Sequence, residues 1–413
     1  MAYLWKRGKP MPLDLTELSR QVREMSSALH RGAPDYAQRR VQALERYLRE
    51  SSAYATWAQA ADLSRDGCAW LLARPVEPLN TVRDVPPRPA DYAVIATDGS
   101  HIDIDRHGAA LCYVLNIGRV YLRYGASPAA KLSSHPTLYF REEDLYLIDG
   151  MRRIPIEGNY LSARRDVAEG VELVDLAKEF LRNDGIPALA LQDGTLVRWT
   201  LAGAEKAMLD HFLRPYLNYL DTMREWKIPV ASYISRPRSP EVAGMIRLML
   251  CPDIDLEKQR GAKCSACSDA AAGRTPSCFV CRGLSDAEIL ADMLDEGQRG
   301  PLFISMSRVN IESYGNHLVH FFYTRVGREI VRVEMPRWVA EDADLLDRVH
   351  ALVYDQCLKG QGYPVALARA HEQAVIRAAD RRAFARIVEC SLIQANLPAT
   401  SSRKAASKEQ QAV

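Results

Sequence analysis

Hydrophobic and polar positions follow two different periods along this chain, and the changes of period mark out its elements. Between residues 13 and 75 the period is helical. Leu15, Leu18, Val22 and Met25 form one apolar stripe and Val41, Leu44 and Leu48 a second, at spacings that share a helix face. Pro75, Pro78, Pro86, Pro87 and Pro89 then disfavour helix, so residues 76–90 read as an extended connector. Beyond them the period shortens. Tyr92-Ala93-Val94-Ile95-Ala96 reads as a buried strand, and the Asp98-Gly99-Ser100 that follows reads as the turn that ends it. Two apolar runs at 111–115 and 120–122, separated by Asn116-Ile117-Gly118-Arg119, predict a hairpin. A helix is expected from Ser162 as N-cap to about residue 181, then the strand 188–192, and a helix over 201–226. Strands are expected at 229–234 and 302–306 and a hairpin through 319–323 and 330–334. Helices are expected at 341–358 and 366–396.

One pattern occurs twice. The strand 188–192 closes on Asp193-Gly194-Thr195 as the strand 92–97 closes on Asp98-Gly99-Ser100, so two carboxylates are each delivered from a strand. A single Asp-Gly is ordinary turn chemistry, which is how Asp149-Gly150 reads. The matched pair points to a metal site. On the intervening helix Glu169 falls in line with Leu173, Leu176 and Phe180, whereas Glu172 lies with Arg165, Asp175 and Glu179 on a charged face. An acid on an apolar stripe is costly unless it meets an Arg or a metal, which makes Glu169 the better site candidate and leaves Glu172 as the alternate. Strand with Asp98, hairpin, helix with Glu169, strand with Asp193 is the order of a ribonuclease-H-like mixed α/β sheet flanked by helices. Carboxylates about 4 Å apart repel by several kcal/mol at an effective dielectric near 20, and divalent cations turn that repulsion into binding.

Composition narrows the class. With 47% hydrophobic and 26% charged residues the chain is an ordinary globular one. No stretch approaches the roughly 20 apolar residues of a membrane span and the N-terminus has no signal-like apolar region, so no membrane association and a cytoplasmic location are expected. A net charge of +2 means that any grip on nucleic acid must come from a local basic patch. Nine cysteines, four of them in Cys264-x-x-Cys267 and Cys278-x-x-Cys281, point to reduced thiols. The two knuckles predict a structural Zn²⁺ on Cys264, Cys267, Cys278 and Cys281 in a zinc-ribbon-like insert. Cys251, Cys68, Cys112, Cys357 and Cys390 read as spare thiols.

Several motifs in order carry a resemblance. Asp98-Gly99-Ser100, Asp193-Gly194-Thr195-Leu196, the stretches 234–239 and 332–339, and Gly362-Tyr363-Pro364 followed by Ala370-His371 resemble the NurA nuclease family over about residues 90–395. The resemblance implies a manganese-dependent (or magnesium-dependent) DNA nuclease. Its expected activities are 5′ to 3′ exonuclease and single-strand endonuclease, acting on single strands and DNA ends as a homodimer with the hexameric HerA-type ATPase in end resection. It implies that Asp98, Glu169, Asp193, Tyr363 and His371 are catalytic, with Asp98, Glu169, Asp193 and His371 on the catalytic Mn²⁺. The layout expected is a helical region over 1–75, the connector 76–90, a nuclease domain over 91–250 and 285–397 interrupted by the insert 251–284, and a disordered tail over 398–413. A non-catalytic DNA-binding or adaptor protein on the same fold is the competing reading.

Overall fold

The computed structural model describes residues 13–106, 108–182 and 184–398. Residues 399–413 of the tail expected over 398–413, and the first twelve residues of the helical region, lie outside them. The fold is mixed α/β, built on one large mixed sheet flanked by helices. Its strands are β1 (Ala73–Pro75), β2 (Tyr92–Ile102), β3 (Tyr113–Tyr124), β4 (Ala129–Tyr139), β7 (Ala188–Asp193), β8 (Val230–Ile234), β9 (Phe303–Ser305), β10 (Val319–Val326) and β11 (Glu329–Pro336), with β5 (Tyr146–Asp149) and β6 (Arg152–Pro155) as a separate hairpin. The order across the sheet is β1-β9-β10-β11-β8-β7-β2-β3-β4. Only β2, β7 and β8 run parallel to their neighbours, β2 to β7 and β7 to β8.

The apolar runs of β2 and β7 are continuous because both faces of these strands are covered. Ala93, Ile95, Ala188 and Ala190 face the helices Asn159–Phe180 and Arg214–Glu225. Their alternates Val94, Ala96, Leu189 and Leu191 face the helices Ala343–Lys359 and Val365–Ala374. Period-two alternation thus splits one run between two cores.

Two expected turns near the site are not turns. Strand β2 passes straight through Asp98-Gly99-Ser100 to Ile102, and residues 113–124 form one strand in place of a hairpin. The glycine that suggested a hairpin, Gly118, has a packing role. A Cβ there would lie 2.1 Å from the Ala370 carbonyl oxygen and 2.7 Å from the Ala374 nitrogen, so only glycine lets the helix Val365–Ala374 rest on β3. Gly118→Ala is therefore expected to cost about 1–3 kcal/mol by overpacking, read from a denaturant midpoint. A midpoint equal to that of the wild type would show that the helix has room to shift.

Other boundaries move for local reasons. The helix expected to begin at Ser162 starts at Asn159, after Gly158 at φ 56°. In place of a helix over 201–226 there are a turn at Lys206–Met208, a π-turn at Leu209–Leu213 and the helix Arg214–Glu225. Pro215 has no N–H to donate and its ring crowds the carbonyl four residues back, which a π-turn relieves. The helix expected over 366–396 is interrupted after Ala374 and resumes as Ala378–Gln394. The N-terminal stripes belong to one helix, Leu15–Arg49, of which only Ala43 and Tyr47 are buried; Leu15, Leu18, Val22 and Met25 are exposed. Within 251–284 short helical turns stand where a ribbon was expected, at Cys264–Ala266, Ser268–Ala271 and Ser277–Cys281. No helix among the described residues is long and apolar enough to cross a membrane.

Candidate functional site

Strand register brings the two aspartates together. Thr97 of β2 is the Cα partner of Gln192 of β7 in the parallel pair, so Asp98 and Asp193 follow side by side at the carboxyl ends of that pairing. There a sheet leaves a crevice open to ligands. The matched motifs differ in conformation. Gly194 has φ 76° and makes a true turn, while Gly99 stays in β2 and serves by lacking a side chain. A Cβ on Gly99 would lie 2.6 Å from Glu169 Oε1 and 2.7 Å from Arg165 Cγ. The missing side chain is the space that Glu169 enters from its helix.

Each acid has defined partners. Asp98 Oδ1 accepts from the Gly99 N–H at 2.8 Å, and Oδ2 is paired with His371 Nδ1 at 2.7 Å. Asp193 Oδ1 accepts from the Gly194 N–H at 3.0 Å and from the Tyr363 hydroxyl at 2.9 Å. Tyr363 is steadied by an edge contact with Tyr233, ring centroids 5.4 Å apart. His371 arrives on the helix Val365–Ala374, which the sheet holds at its C-terminus: Asn116 Nδ2 donates to the carbonyls of Gln373 and Ala374, and Ser100 Oγ donates to Ala374. These bonds meet carbonyls left over at a helix end.

Glu169 is buried, with its Oε1 3.3 Å from Arg165 Nε one turn earlier. Burial first, then the neighbouring Asp166, push its carboxyl up to about 8, against the pull of Arg165; Asp98 adds to the rise. Crowding by protein also raises Asp193, opposed by the Tyr363 hydrogen bond and reinforced by Asp98. Burial and then the Asp193 carboxylate raise the Tyr363 hydroxyl. Such mutual disfavouring of charge marks a place where a cation is wanted.

Glu172, the alternate, faces elsewhere. It is bound by Arg119 Nε at 3.1 Å from β3 and by His135 from β4, an ion-paired strut between helix and sheet. If the site cleaves DNA as the family resemblance implies, Glu169→Gln should lower turnover on labelled single-stranded DNA by about 10²-fold and Glu172→Gln should leave it within about threefold. The reverse order would transfer the role to Glu172.

Several residues of this region escaped the sequence reading. Asp166 bridges Arg198 Nη1 at 3.0 Å and Arg165 at 3.7 Å, so two guanidinium groups border the acids. The i, i+4 spacing of Arg165 and Glu169 was a usable signal for one of them. Below the turn that carries Asp193, Glu334 of β11 accepts from Thr195 Oγ1 at 2.8 Å and from the Leu196 N–H at 2.7 Å. Its other oxygen is held by Arg332 Nε at 2.8 Å, and Arg332 Nη1 reaches Glu241 at 2.8 Å. Tyr314 clamps the same loop, accepting from the Arg198 N–H and donating to the Leu196 carbonyl.

The donor set of Asp98, Asp193, Glu169 and His371 suits a hard divalent cation. Among the described residues no three His, Cys, Asp or Glu side chains converge closely enough to hold a metal ion. At the acids, Arg165 pairs with Glu169, His371 with Asp98 and Tyr363 with Asp193. At the knuckles, Cys281 is buried in a core with Val242, Met245 and Ile246, and the two Cys-x-x-Cys pairs do not converge on one point.

Comparison with known proteins bears on identity. A family model described as the NurA domain matches residues 92–376. No curated protein matches the chain. Two solved structures align: "Crystal structure of NurA", at 11% identity and TM-score 0.38 over 74% of this chain and 89% of that one, and "Crystal structure of NurA with manganese", at 10% identity and TM-score 0.35 over 75% and 91%. Likeness at those values bears no weight. The family model, which spans well over half of the chain and includes all five candidate site residues, does: this chain belongs to the NurA family.

Proposed function

We propose that the protein is a metal-dependent DNA nuclease, with 5′ to 3′ exonuclease and single-strand endonuclease activity, on a ribonuclease-H-like sheet. The observation that carries this reading is the placement of Asp98 and Asp193 at the ends of adjacent parallel strands, with Glu169 entering over Gly99. The run β4-β3-β2-β7-β8, antiparallel through β2 and parallel beyond it, with the Glu169 helix on one face, supports the fold reading. Family membership supports the nuclease reading.

Asp98, Glu169 and Asp193, with His371, would hold divalent cations of the manganese or magnesium class. Bound there, such cations supply a water of lowered pKa and a counter-charge for the leaving 3′-oxygen of a phosphodiester. The chain's own groups do the rest. Tyr363 holds the Asp193 carboxylate by its hydroxyl, and His371 does the same for Asp98. Arg165 pairs with Glu169 and balances its charge. Arg165, partly exposed beside the acids, offers charge to the phosphate backbone, a contact that positions a strand without reading its bases, while the buried Arg198 holds Asp166.

The decisive experiment is degradation of end-labelled single-stranded DNA with manganese, with calcium and with excess EDTA. Cleavage with manganese, weak cleavage with calcium and none under chelation are expected; undiminished cleavage in EDTA would exclude the mechanism. The same reading includes a homodimer and a HerA-type hexameric ATPase as partner in end resection, supported by family membership alone. Affinity capture from native cells that brings down no such ATPase would leave a free-standing nuclease.

A further inference from the structure

Two clefts meet beside the N-terminal helix Leu15–Arg49. One, of about 470 Å³, lies against the helix Glu241–Met249 and is lined by Trp70, Arg238 and Arg247. The other, of about 810 Å³, opens between the N-terminal helix and the end of the insert and is lined by Arg39, Phe279 and Arg282. Tyr36 and Gly283 line both. The Tyr36 hydroxyl donates to the Gly283 carbonyl at 3.3 Å, so the clefts form one groove on the two sides of that bond.

Three pairs of an aromatic ring and a guanidinium group run along it. Arg247 lies over the Trp70 ring at 4.2 Å, Arg39 over Tyr36 at 5.6 Å and Arg282 over Phe279 at 5.0 Å. Local contacts fix the rings. The Trp70 indole N–H donates to the Gly244 carbonyl at 3.3 Å, and a Cβ on Gly244 would lie 2.0 Å from the Leu71 carbonyl oxygen, so glycine lets the Trp70 segment press on its helix. Phe279 is 38% exposed on the turn Ser277–Cys281, which the buried Cys281 anchors.

Charge along the groove is unbalanced. Its two carboxylates are engaged locally, Asp35 with Arg39 at 2.8 Å and Glu288 with the Ser285 N–H at 2.9 Å and hydroxyl at 2.6 Å. Arg238, Arg247 and Arg282 have no ion-pair partner among the described residues, and the Arg247 Nε is buried without a hydrogen-bond acceptor. A guanidinium kept from water needs an acceptor, and phosphate oxygens suit its fork. Position ties the groove to the acids. Tyr233 of β8 is the Cα partner of Asp193 in a parallel pair, so the loop 235–240 that carries Arg238 leaves the sheet at the end where Asp98 and Asp193 stand.

We infer that this groove holds a single strand of DNA, its bases stacked on Trp70, Tyr36 and Phe279 and its phosphates on Arg238, Arg247 and Arg282. Rings accept any base, because every base has a π-face, and the guanidinium groups meet only the backbone, so the groove has no sequence preference. A duplex, whose bases are stacked on one another, could not use the rings. An acidic peptide would satisfy the arginines and leave the rings unused. The choice of a DNA strand as occupant rests on the nuclease reading, but binding is measurable without cleavage.

The test uses the whole chain in EDTA and reads the anisotropy of a labelled oligothymidylate of about 20 nucleotides, longer than the roughly 4–16 that one such surface holds. Phe279→Ala should weaken binding about tenfold. Replacing Arg238, Arg247 and Arg282 together by Met should lower the slope of log affinity against log salt by about two. Photo-cross-linking with iodouracil in place of thymine should mark Tyr36, Trp70 or Phe279. If the triple variant does not fold, the exposed Arg282→Met should lower the slope by about 0.7 and decides together with Phe279→Ala. Unchanged affinity in Phe279→Ala with an unchanged salt slope in the arginine variants would overturn the inference. So would cross-links confined to the surroundings of Tyr363, or polyglutamate or duplex DNA bound as tightly as the single strand. The expected binding in a protein that cleaves nothing with manganese would sink the nuclease reading and leave the groove standing.

Discussion

Asp98→Asn and Asp193→Asn should each lower cleavage of single-stranded DNA by about 10²–10³-fold, the scale on which enzymes lose rate when one preorganised electrostatic group is removed. Neither carboxylate supports the core. Asp98 is bonded to its own neighbour's N–H and to an exposed His371, and Asp193 to Gly194 and to Tyr363. Folding stability should therefore stay within about 0.5 kcal/mol of wild type, as for most substitutions away from buried networks. The two measurements belong together, because activity lost with a normal denaturant midpoint isolates chemistry from fold. Cleavage within about tenfold of wild type in either variant would remove the acids from the mechanism.

Arg332→Met should be the most destabilising of the substitutions considered. Arg332 is buried, its Nε bound to Glu334 and its Nη1 to Glu241, each at 2.8 Å, with its guanidinium 3.6 Å from the centroid of Phe321. Removing the cation leaves two buried carboxylates facing each other, a change that costs about 3–5 kcal/mol when a buried pair loses one partner. The damage should reach the site. Glu334 also receives Thr195 Oγ1 and the Leu196 N–H, so any rearrangement of its carboxylate loosens the turn that presents Asp193. Adding Glu241→Gln to Arg332→Met should recover part of the stability, since one of the two orphaned charges disappears. An unfolding midpoint for Arg332→Met that costs less than about 1 kcal/mol would mean that water enters the network and solvates it.

How far the sequence carried the reading follows from what each signal depends on. Local composition was enough for the strands β2, β7, β8, β10 and β11, whose apolar runs are buried on two faces. It was also enough for the helix that carries Glu169, because the line of Glu169, Leu173 and Leu176 is a property of one helix. The family motifs sufficed to bring Asp98, Asp193, Tyr363 and His371 forward. What failed was the meaning of individual glycines. Gly99 and Gly118 look like turn residues in the chain, yet both lie in strands and are glycine because Glu169 and the helix Val365–Ala374 press against them.

Encounters between distant positions exist only in the folded chain. His371 meets Asp98 across 273 residues and Glu334 meets Thr195 across 139, and neither pairing leaves a periodic trace in the chain. In the same way only the folded chain shows Arg119 and His135 reaching Glu172 from β3 and β4 while Glu169 lies against Gly99 of β2. The cysteines make the same point. Spacing nominated Cys281, which the fold buries in a core with Val242, Met245 and Ile246 of the helix Glu241–Met249. Periodicity records which face of an element is apolar, and that much is legible along the chain. Which charged or sulfur group stands opposite that face depends on how the sheet orders its strands, and that order is a property of the folded chain.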